Sequence, residues 1–160
     1  MVRGKEVGNA GAIPIEPGTY VLVLRCDRAR TVRIGRTGGV LLRPGYYFYI
    51  GSAFGPGGLR ARIAHHARRA VRPHWHVDYL RRHTLLEAVW YRPGARCEHQ
   101  WAAAIGGAAG AAVVMPGLGS SDCRCRTHLF QFAFADILYT GRRVPVEERG
   151  ARNPANGQNV

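Results

Sequence analysis

Acidic residues are scarce in this 160-residue chain, and lysine is almost absent. The sequence has 10 Asp and Glu against 23 Lys and Arg, which gives a formal net charge of +13 at pH 7. Lys5 is the single lysine. This charge balance predicts partners rich in phosphate, above all nucleic acid. Arginine-biased codon usage would explain the choice of arginine over lysine, but it would not explain the shortage of acids.

Long hydrophobic runs are also missing. No apolar segment approaches the ~18 residues that a membrane-spanning helix needs. The first eleven residues lack the charged and then apolar pattern of a secretion signal. We therefore expect no membrane partner and a cytoplasmic, nucleoid-associated protein. Only four cysteines are present, and in that compartment we expect them to stay reduced or to bind a metal rather than to form disulfides.

The apolar patterns predict an α+β domain at 16–140, between a flexible N-terminal arm at 1–15 and a disordered C-terminal tail at 141–160. Strands are predicted at 20–24, 31–34, 40–42, 46–50, 85–91 and 113–115, and helices from 58 onward and at 74–80 and 96–105. We expect a small, mostly antiparallel β-sheet in meander order, with a hairpin at 31–42 that turns at 37–39 and is inserted in the sheet. Helices should flank this sheet.

Residues 45–62 combine an aromatic strand, a glycine-rich turn and an arginine-bearing helix start. Alternation along the strand places Tyr47, Tyr49 and Gly51 on one face. Helical spacing places Arg62 and His66 on one face of the helix. A phenol, backbone N–H groups that glycine leaves accessible, and arginines on the first helical turns suit a phosphodiester ligand.

Two short segments carry a resemblance to a known family. Gly18-Thr19-Tyr20 and Tyr49-Ile50-Gly51 resemble the two signatures of the GIY-YIG nuclease superfamily, although Thr19 stands where isoleucine or valine is usual and the spacer between the signatures is longer than usual. The run over 17–132, which includes HWHVDYL and GSSDCRCRTHLF, more closely resembles a branch catalogued as domain of unknown function 123. That branch is found alone or fused to glycosylases of the endonuclease III type.

The resemblance implies a divalent-metal-dependent nuclease that hydrolyses DNA phosphodiester bonds in DNA repair or processing, with DNA favoured over RNA. Arg62 would bind the scissile phosphate and Glu98 would hold Mg²⁺ or Mn²⁺. Tyr20 and Tyr49 would prepare the attacking water. A free phenol has a pKa of about 10, so a tyrosine acts as a base only if a cation lowers that value.

Further polar residues are expected near these four. His66 or His74 could relay the proton, because imidazole titrates close to neutrality. Gly51, Arg60, His74 and His76 are expected to contact the nucleic acid.

A second group of side chains, Cys123, Cys125 and His128, offers two thiols and an imidazole within six residues. Zn²⁺ takes such ligands, so a structural zinc site is one interpretation. Buried reduced thiols with a capping histidine, and redox or catalytic use of the thiols, are the alternatives, and Asp122 or His128 could instead join the active site. The spacing shows no fourth zinc ligand, for which the candidates are Asp122, Cys97 and Cys26.

Two other functions fit the same composition. A catalytically silent basic module could bind nucleic acid and dock a repair partner. A small zinc-stabilised protein that binds RNA is a further alternative. Basic charge predicts nucleic-acid binding in all three cases, so only cleavage and metal content separate them.

Overall fold

The computed structural model describes residues 13–133. Most of the predicted arm and all of the predicted tail lie outside the described residues. In chain order the elements are β1 (Gly18–Cys26), β2 (Arg30–Ile34), β3 (Gly38–Leu42), β4 (Gly45–Ala53), α1 (Gly58–Ala67), α2 (His76–Arg81), β5 (Leu85–Pro93), α3 (Glu98–Gly106), β6 (Ala112–Val113) and β7 (Leu129–Phe132).

The main sheet has five strands in the order β5-β1-β4-β7-β6, and every neighbouring pair is antiparallel. The predicted α+β class with a mostly antiparallel sheet is therefore confirmed. The predicted meander order is wrong, because β1 lies between β4 and β5. The hairpin forms, but β2 and β3 pair with each other in a separate two-stranded sheet instead of entering the main one. Its turn lies at 35–37 rather than 37–39.

The two faces of the sheet bury different sets of side chains, as the alternation in β4 predicts. Tyr47 and Tyr49 pack on one face with the apolar residues of α1, α2 and the hairpin. Phe48 and Ile50 pack on the other face with those of α3, including Trp101. Because the faces alternate along each strand, one central sheet supports two hydrophobic layers.

The start of α1 is covered by the chain that precedes β1. The N–H groups of Leu59 and Arg60 donate to the carbonyls of Glu16 and Pro14 at 2.9 and 3.0 Å. The N–H of Ala61 donates to the carbonyl of Gly57, which ends the glycine-rich turn in a left-handed conformation. The N–H groups of this first helical turn therefore already have backbone partners and are not free to receive a phosphate.

Helix α2 begins two residues later than predicted. The Oδ2 atom of Asp78 accepts the backbone N–H groups of His74 and Trp75 at 2.9 and 3.1 Å. These donors are therefore satisfied before the helix starts at His76. The buried guanidinium of Arg81, in the last turn, donates to the carbonyls of His66 and Ala67 and so ties α2 to the end of α1.

None of the helices within residues 13–133 combines the length and the apolar character needed to cross a membrane.

Candidate active site

A pocket of about 400 Å³ opens where β1, β4 and the starts of α1 and α3 approach one another. Its walls include Tyr20 from β1, Tyr49 from β4, Arg62 from α1 and Glu98 from α3. These are the four residues to which the family resemblance gives catalytic roles. They lie far apart in the sequence, and the fold places them around one cavity.

Close packing between β1 and β4 positions the first phenol. Gly51 lies opposite Tyr20 in the antiparallel register. A Cβ atom on Gly51 would lie only 2.5 Å from the Oη atom of Tyr20 and 2.6 Å from the ring carbon that bears it. Glycine therefore leaves the space that the buried Tyr20 ring occupies. Gly51, predicted to contact nucleic acid, also lines the pocket.

Thr19 fixes the segment that delivers Glu98. Its Oγ1 donates to the carbonyl of Ala95 at 2.8 Å and accepts the N–H of Cys97 at 3.0 Å. Because Thr19 is fully buried and Glu98 follows Cys97 directly, these two bonds tie the first residue of α3 to β1. The unusual threonine in the first signature thus has a structural reason.

The Arg62 guanidinium lies over the ring of Trp75, with its central carbon 4.1 Å from the ring centroid. Within residues 13–133 it forms no ion pair with a carboxylate. An arginine on an aromatic face keeps its N–H donors at the edge of the guanidinium, where this one also interacts with the hydroxyl of Tyr20. Arg62 is therefore a ready partner for an anion in the pocket.

Behind Tyr20 lies a hydrogen-bonded chain of buried side chains. The Oη atom of Tyr20 lies 2.9 Å from Nε2 of His66, and Nδ1 of His66 lies 3.1 Å from Oδ1 of Asp78. His66 is fully buried and Asp78 is 1 % exposed. His65 reaches the other carboxylate oxygen of Asp78 at 3.1 Å. We call Tyr20, His66 and Asp78 the buried relay.

The charge states along the buried relay follow from its surroundings. Burial raises the pKa of Asp78, but hydrogen bonds from His66, from the backbone of His74 and Trp75, and from His65 bring it well below the ordinary value. Burial lowers the pKa of His66, against the opposing effect of Asp78. A neutral imidazole beside a carboxylate donates from Nδ1, so Nε2 accepts the proton of the Tyr20 hydroxyl.

Both pocket tyrosines hold their protons firmly. Burial raises the pKa of Tyr20 well above its usual value, and the nearby Tyr49 adds to the effect. Burial likewise raises the pKa of Tyr49 to about 12. Arg62 lowers both values, but less than burial raises them. Arg62 therefore does not turn either phenol into a base at neutral pH, and a proton that leaves Tyr20 needs the His66 acceptor.

Two carboxylates face the pocket, Glu98 and Asp122. Neither makes a hydrogen bond or an ion pair with another residue in the described part of the chain. Mg²⁺ and Mn²⁺ prefer oxygen ligands and are commonly held by one or two carboxylates together with substrate oxygens. These donors fit such an ion, and Asp122 is a candidate second ligand beside the predicted Glu98.

The remaining predicted residues divide between the pocket and other positions. His74 and His76 line the pocket, and Nδ1 of His76 accepts the N–H of Gly119 at 3.2 Å. His66 does not line it, because it lies behind Tyr20 as the second member of the buried relay. Arg60 is not part of the wall either. Its Nε donates to the carbonyl of Ile13 at 2.8 Å.

The predicted zinc ligands gather beside the pocket. Cys123, Cys125 and His128 are joined by His99, and one ligand atom of each of the four residues lies within 4.8 Å of the others. Cys26 and Cys97, candidates for the fourth ligand, are buried elsewhere and do not belong to this group; neither does Asp122. All four cysteines are free thiols. His65, His66 and Asp78 also meet the geometric condition for a metal-binding group, but the hydrogen bonds of both histidines to Asp78 account for their positions.

Sequence reasoning missed the roles of Asp78, Trp75 and His99. Asp78 was recognisable only as one of few acids, because its burial depends on how α1 and α2 pack. Trp75 packs against the core and also lines the pocket, where it supports Arg62. His99 and Cys123 are too far apart in the sequence to form a recognisable metal-binding motif.

A family model described as a domain of unknown function, DUF123, matches residues 19–142. No curated protein and no solved structure matches the chain.

Proposed function

The chain belongs to the DUF123 family of domains of unknown function, and from this premise and the geometry of the pocket we propose that it is a divalent-metal-dependent nuclease that hydrolyses DNA phosphodiester bonds. Its resemblance to GIY-YIG nucleases supports the same reaction. DNA repair or processing is the proposed context, and binding to DNA would place the protein at the nucleoid.

One observation carries the proposal. Within residues 13–133, Arg62 has no carboxylate partner and Glu98 and Asp122 have no ion-pair partner, and all three side chains face the same cavity. Cutting a phosphodiester needs a cation on the phosphate, metal-binding oxygens and a route for a proton. This pocket has side chains for each need, whereas a surface that only binds DNA has no use for unpaired carboxylates.

The buried relay supplies the proton route. A water molecule held by Tyr20 gives a proton to the phenol oxygen as the phenol passes its own proton to Nε2 of His66. Asp78 stabilises the resulting imidazolium, much as a buried aspartate supports histidine in hydrolytic triads. The hydroxide attacks phosphorus, the bond from phosphorus to the leaving sugar oxygen breaks, and that oxygen takes up a proton from solvent water. Arg62 binds the phosphate through two N–H donors.

Glu98 and Asp122 are the residues that would hold the divalent cation. When bound, such an ion supplies Lewis-acid stabilisation of the negative charge that develops on the phosphate.

The test is cleavage of labelled single-stranded, duplex and branched DNA of one sequence, with Mg²⁺, Mn²⁺ or a chelator. Wild type should cut at least one substrate only in the presence of a divalent ion. Glu98→Gln and Arg62→Lys should each lower the rate at least ~100-fold, because they remove metal-binding charge and the two-donor fork respectively. DNA affinity and thermal stability should stay close to those of wild type.

Matched controls isolate the pocket. Glu87→Gln neutralises an exposed carboxylate on β5, and Arg68→Lys changes an exposed arginine after α1; both should retain wild-type rates. Equal activity in Glu98→Gln and wild type would identify a contaminating nuclease and overturn the proposal. DNA binding without cleavage under any condition would also overturn it, in favour of a catalytically silent binding module.

A further inference from the structure

We propose that His99, Cys123, Cys125 and His128 bind one zinc ion in a closed Cys₂His₂ site, which we call the zinc site. Nδ1 of His99 lies 3.1 Å from Sγ of Cys125, and Sγ of Cys123 lies 3.5 Å from Nε2 of His128. Tetrahedral zinc, with its usual bond lengths, places its ligand atoms roughly 3.3–3.8 Å apart. The four side chains therefore need only small adjustments to surround an ion.

The ligand chemistry selects zinc over the hard cation expected in the pocket. Thiolates and imidazoles suit Zn²⁺, whereas Mg²⁺ prefers carboxylate oxygens and water. Two thiolates and two neutral imidazoles also neutralise the +2 charge of the ion. The two thiols contact the imidazoles of His99 and His128 and interact with each other, as ligands gathered around one position would.

Backbone contacts hold the ligand-bearing loop independently of a metal. The carbonyl of His128 accepts the N–H of Ile50 in β4, and its own N–H donates to the carbonyl of Leu118, both at 2.9 Å. The N–H of Cys123 donates to the carbonyl of Ser120 at 3.2 Å. Zinc would thus enter a loop that the sheet already orders, and His99 would add a connection to α3.

The zinc site joins the two segments that carry the pocket carboxylates. His99 follows Glu98, and Cys123 follows Asp122. A four-coordinate ion with four protein ligands has no open position for water, so its role is structural. This part of the inference rests on the proposed function: the zinc site would hold Glu98 and Asp122 at the spacing that a catalytic cation needs. Zinc binding itself does not depend on the proposed function.

Metal content and cobalt spectroscopy test the site directly. Protein produced with added zinc should contain about one zinc per chain by elemental analysis. After chelation, titration with Co²⁺ should give the intense visible bands of a tetrahedral site and the near-ultraviolet bands of thiolate coordination. His99→Gln should weaken Co²⁺ binding by more than the ~10–100-fold that loss of a supporting residue costs, because it removes a ligand.

Controls keep the result independent of folding and of nuclease activity. His99 is exposed, so its substitution leaves the core intact; His83→Gln, at another exposed histidine, should bind cobalt as wild type does. Zinc-free protein, or cobalt spectra without thiolate bands, would overturn the proposal. Unchanged affinity in His99→Gln would overturn the assignment of the fourth ligand. Zinc binding without DNA cleavage would refute the proposed function and leave the zinc site standing.

Discussion

Three consecutive hydrogen-bonded side chains, Tyr20, His66 and Asp78, separate the pocket from the packed interior. Each depends on the next for its protonation state: the carboxylate orients the imidazole, and the imidazole accepts from the phenol. Burial alone would leave Tyr20 an inert neutral group. In the proposed reaction, Tyr20 can take a proton from water despite its raised pKa, because it gives its own proton to His66 in the same step.

Substitution of Asp78 tests this dependence. Asp78→Asn should lower kcat at least ~100-fold with little change in KM, because the imidazole loses its orienting carboxylate. Asp78 raises the pKa of His66, and in the proposed reaction the neutral imidazole is the active form. The acid limb of the pH–rate profile should therefore move to lower pH in the variant. The measurement is DNA cleavage across a series of pH values.

Asp27→Asn serves as the control, since Asp27 is an exposed carboxylate outside the pocket that pairs with Arg25. It should retain both the rate and the profile of wild type. An acid limb that stays in place in Asp78→Asn would refute a role for the carboxylate in proton transfer, even if the rate falls.

At the scale of elements, the strands and helices were largely predictable, but their arrangement was not. The aromatic run of β4 and the helical spacing after Gly58 are local patterns, and the structure confirms both elements. The order of the strands depends on pairing between segments that are far apart in the sequence, and local sequence patterns do not predict that pairing. The hairpin of β2 and β3 pairs only with itself, so a prediction from proximity in sequence was wrong.

The candidate site shows the same division. Tyr20, Tyr49, Arg62 and Glu98 could be named from the resemblance, and the fold brings them together. Asp78 could not be assigned from sequence, because a buried carboxylate and a solvated one look alike in a linear chain. His99 became a metal ligand candidate only when α3 was placed beside the loop at 123–128.

The link from β1 to α3 provides an element-scale prediction. Thr19→Val keeps the shape of the side chain but removes the hydroxyl, leaving the carbonyl of Ala95 and the N–H of Cys97 without their buried partner. The free energy of unfolding should fall by about 1–3 kcal/mol. Cleavage should fall as well, with a higher Mg²⁺ requirement, because Glu98 loses its anchor.

Denaturant unfolding and a Mg²⁺ titration of the rate measure the two effects. Thr31→Val, at an exposed position of β2, is the control and should change neither. If Thr19→Val lowered stability without altering the Mg²⁺ requirement, Thr19 would support the fold but not the position of Glu98.

At the scale of the molecule, buried titratable groups set the pH range of stability. The pKa of His66 is lowered in the folded state, so the unfolded chain binds more protons as the pH falls below about 6.5. Stability contributed by the neutral imidazole is present above that pH and is lost during acidification. The raised pKa values of Tyr20 and Tyr49 have the opposite sign, and their contribution is lost as the pH rises above about 10.

Denaturation midpoints should therefore stay level from pH 8 to about 6.5 and decrease from there toward pH 4. The decrease should persist in His99→Gln, because His66 is not a zinc ligand. A denaturation midpoint that rises on acidification would contradict the buried neutral state of His66. If the midpoint of His99→Gln did not change below about pH 6.5 while that of wild type fell, loss of the metal would explain the wild-type decrease instead.

The stacking of Arg62 on Trp75 has a consequence for how a substrate is received. An arginine that is paired with a carboxylate must break that ion pair before it can bind a phosphate. Breaking the pair costs free energy, because the carboxylate is left without its partner. The indole ring of Trp75 carries no negative charge and does not compete with a phosphate for the guanidinium. Arg62 is held on the ring without an ion pair to any carboxylate within residues 13–133, so an incoming phosphate does not have to displace a bound anion.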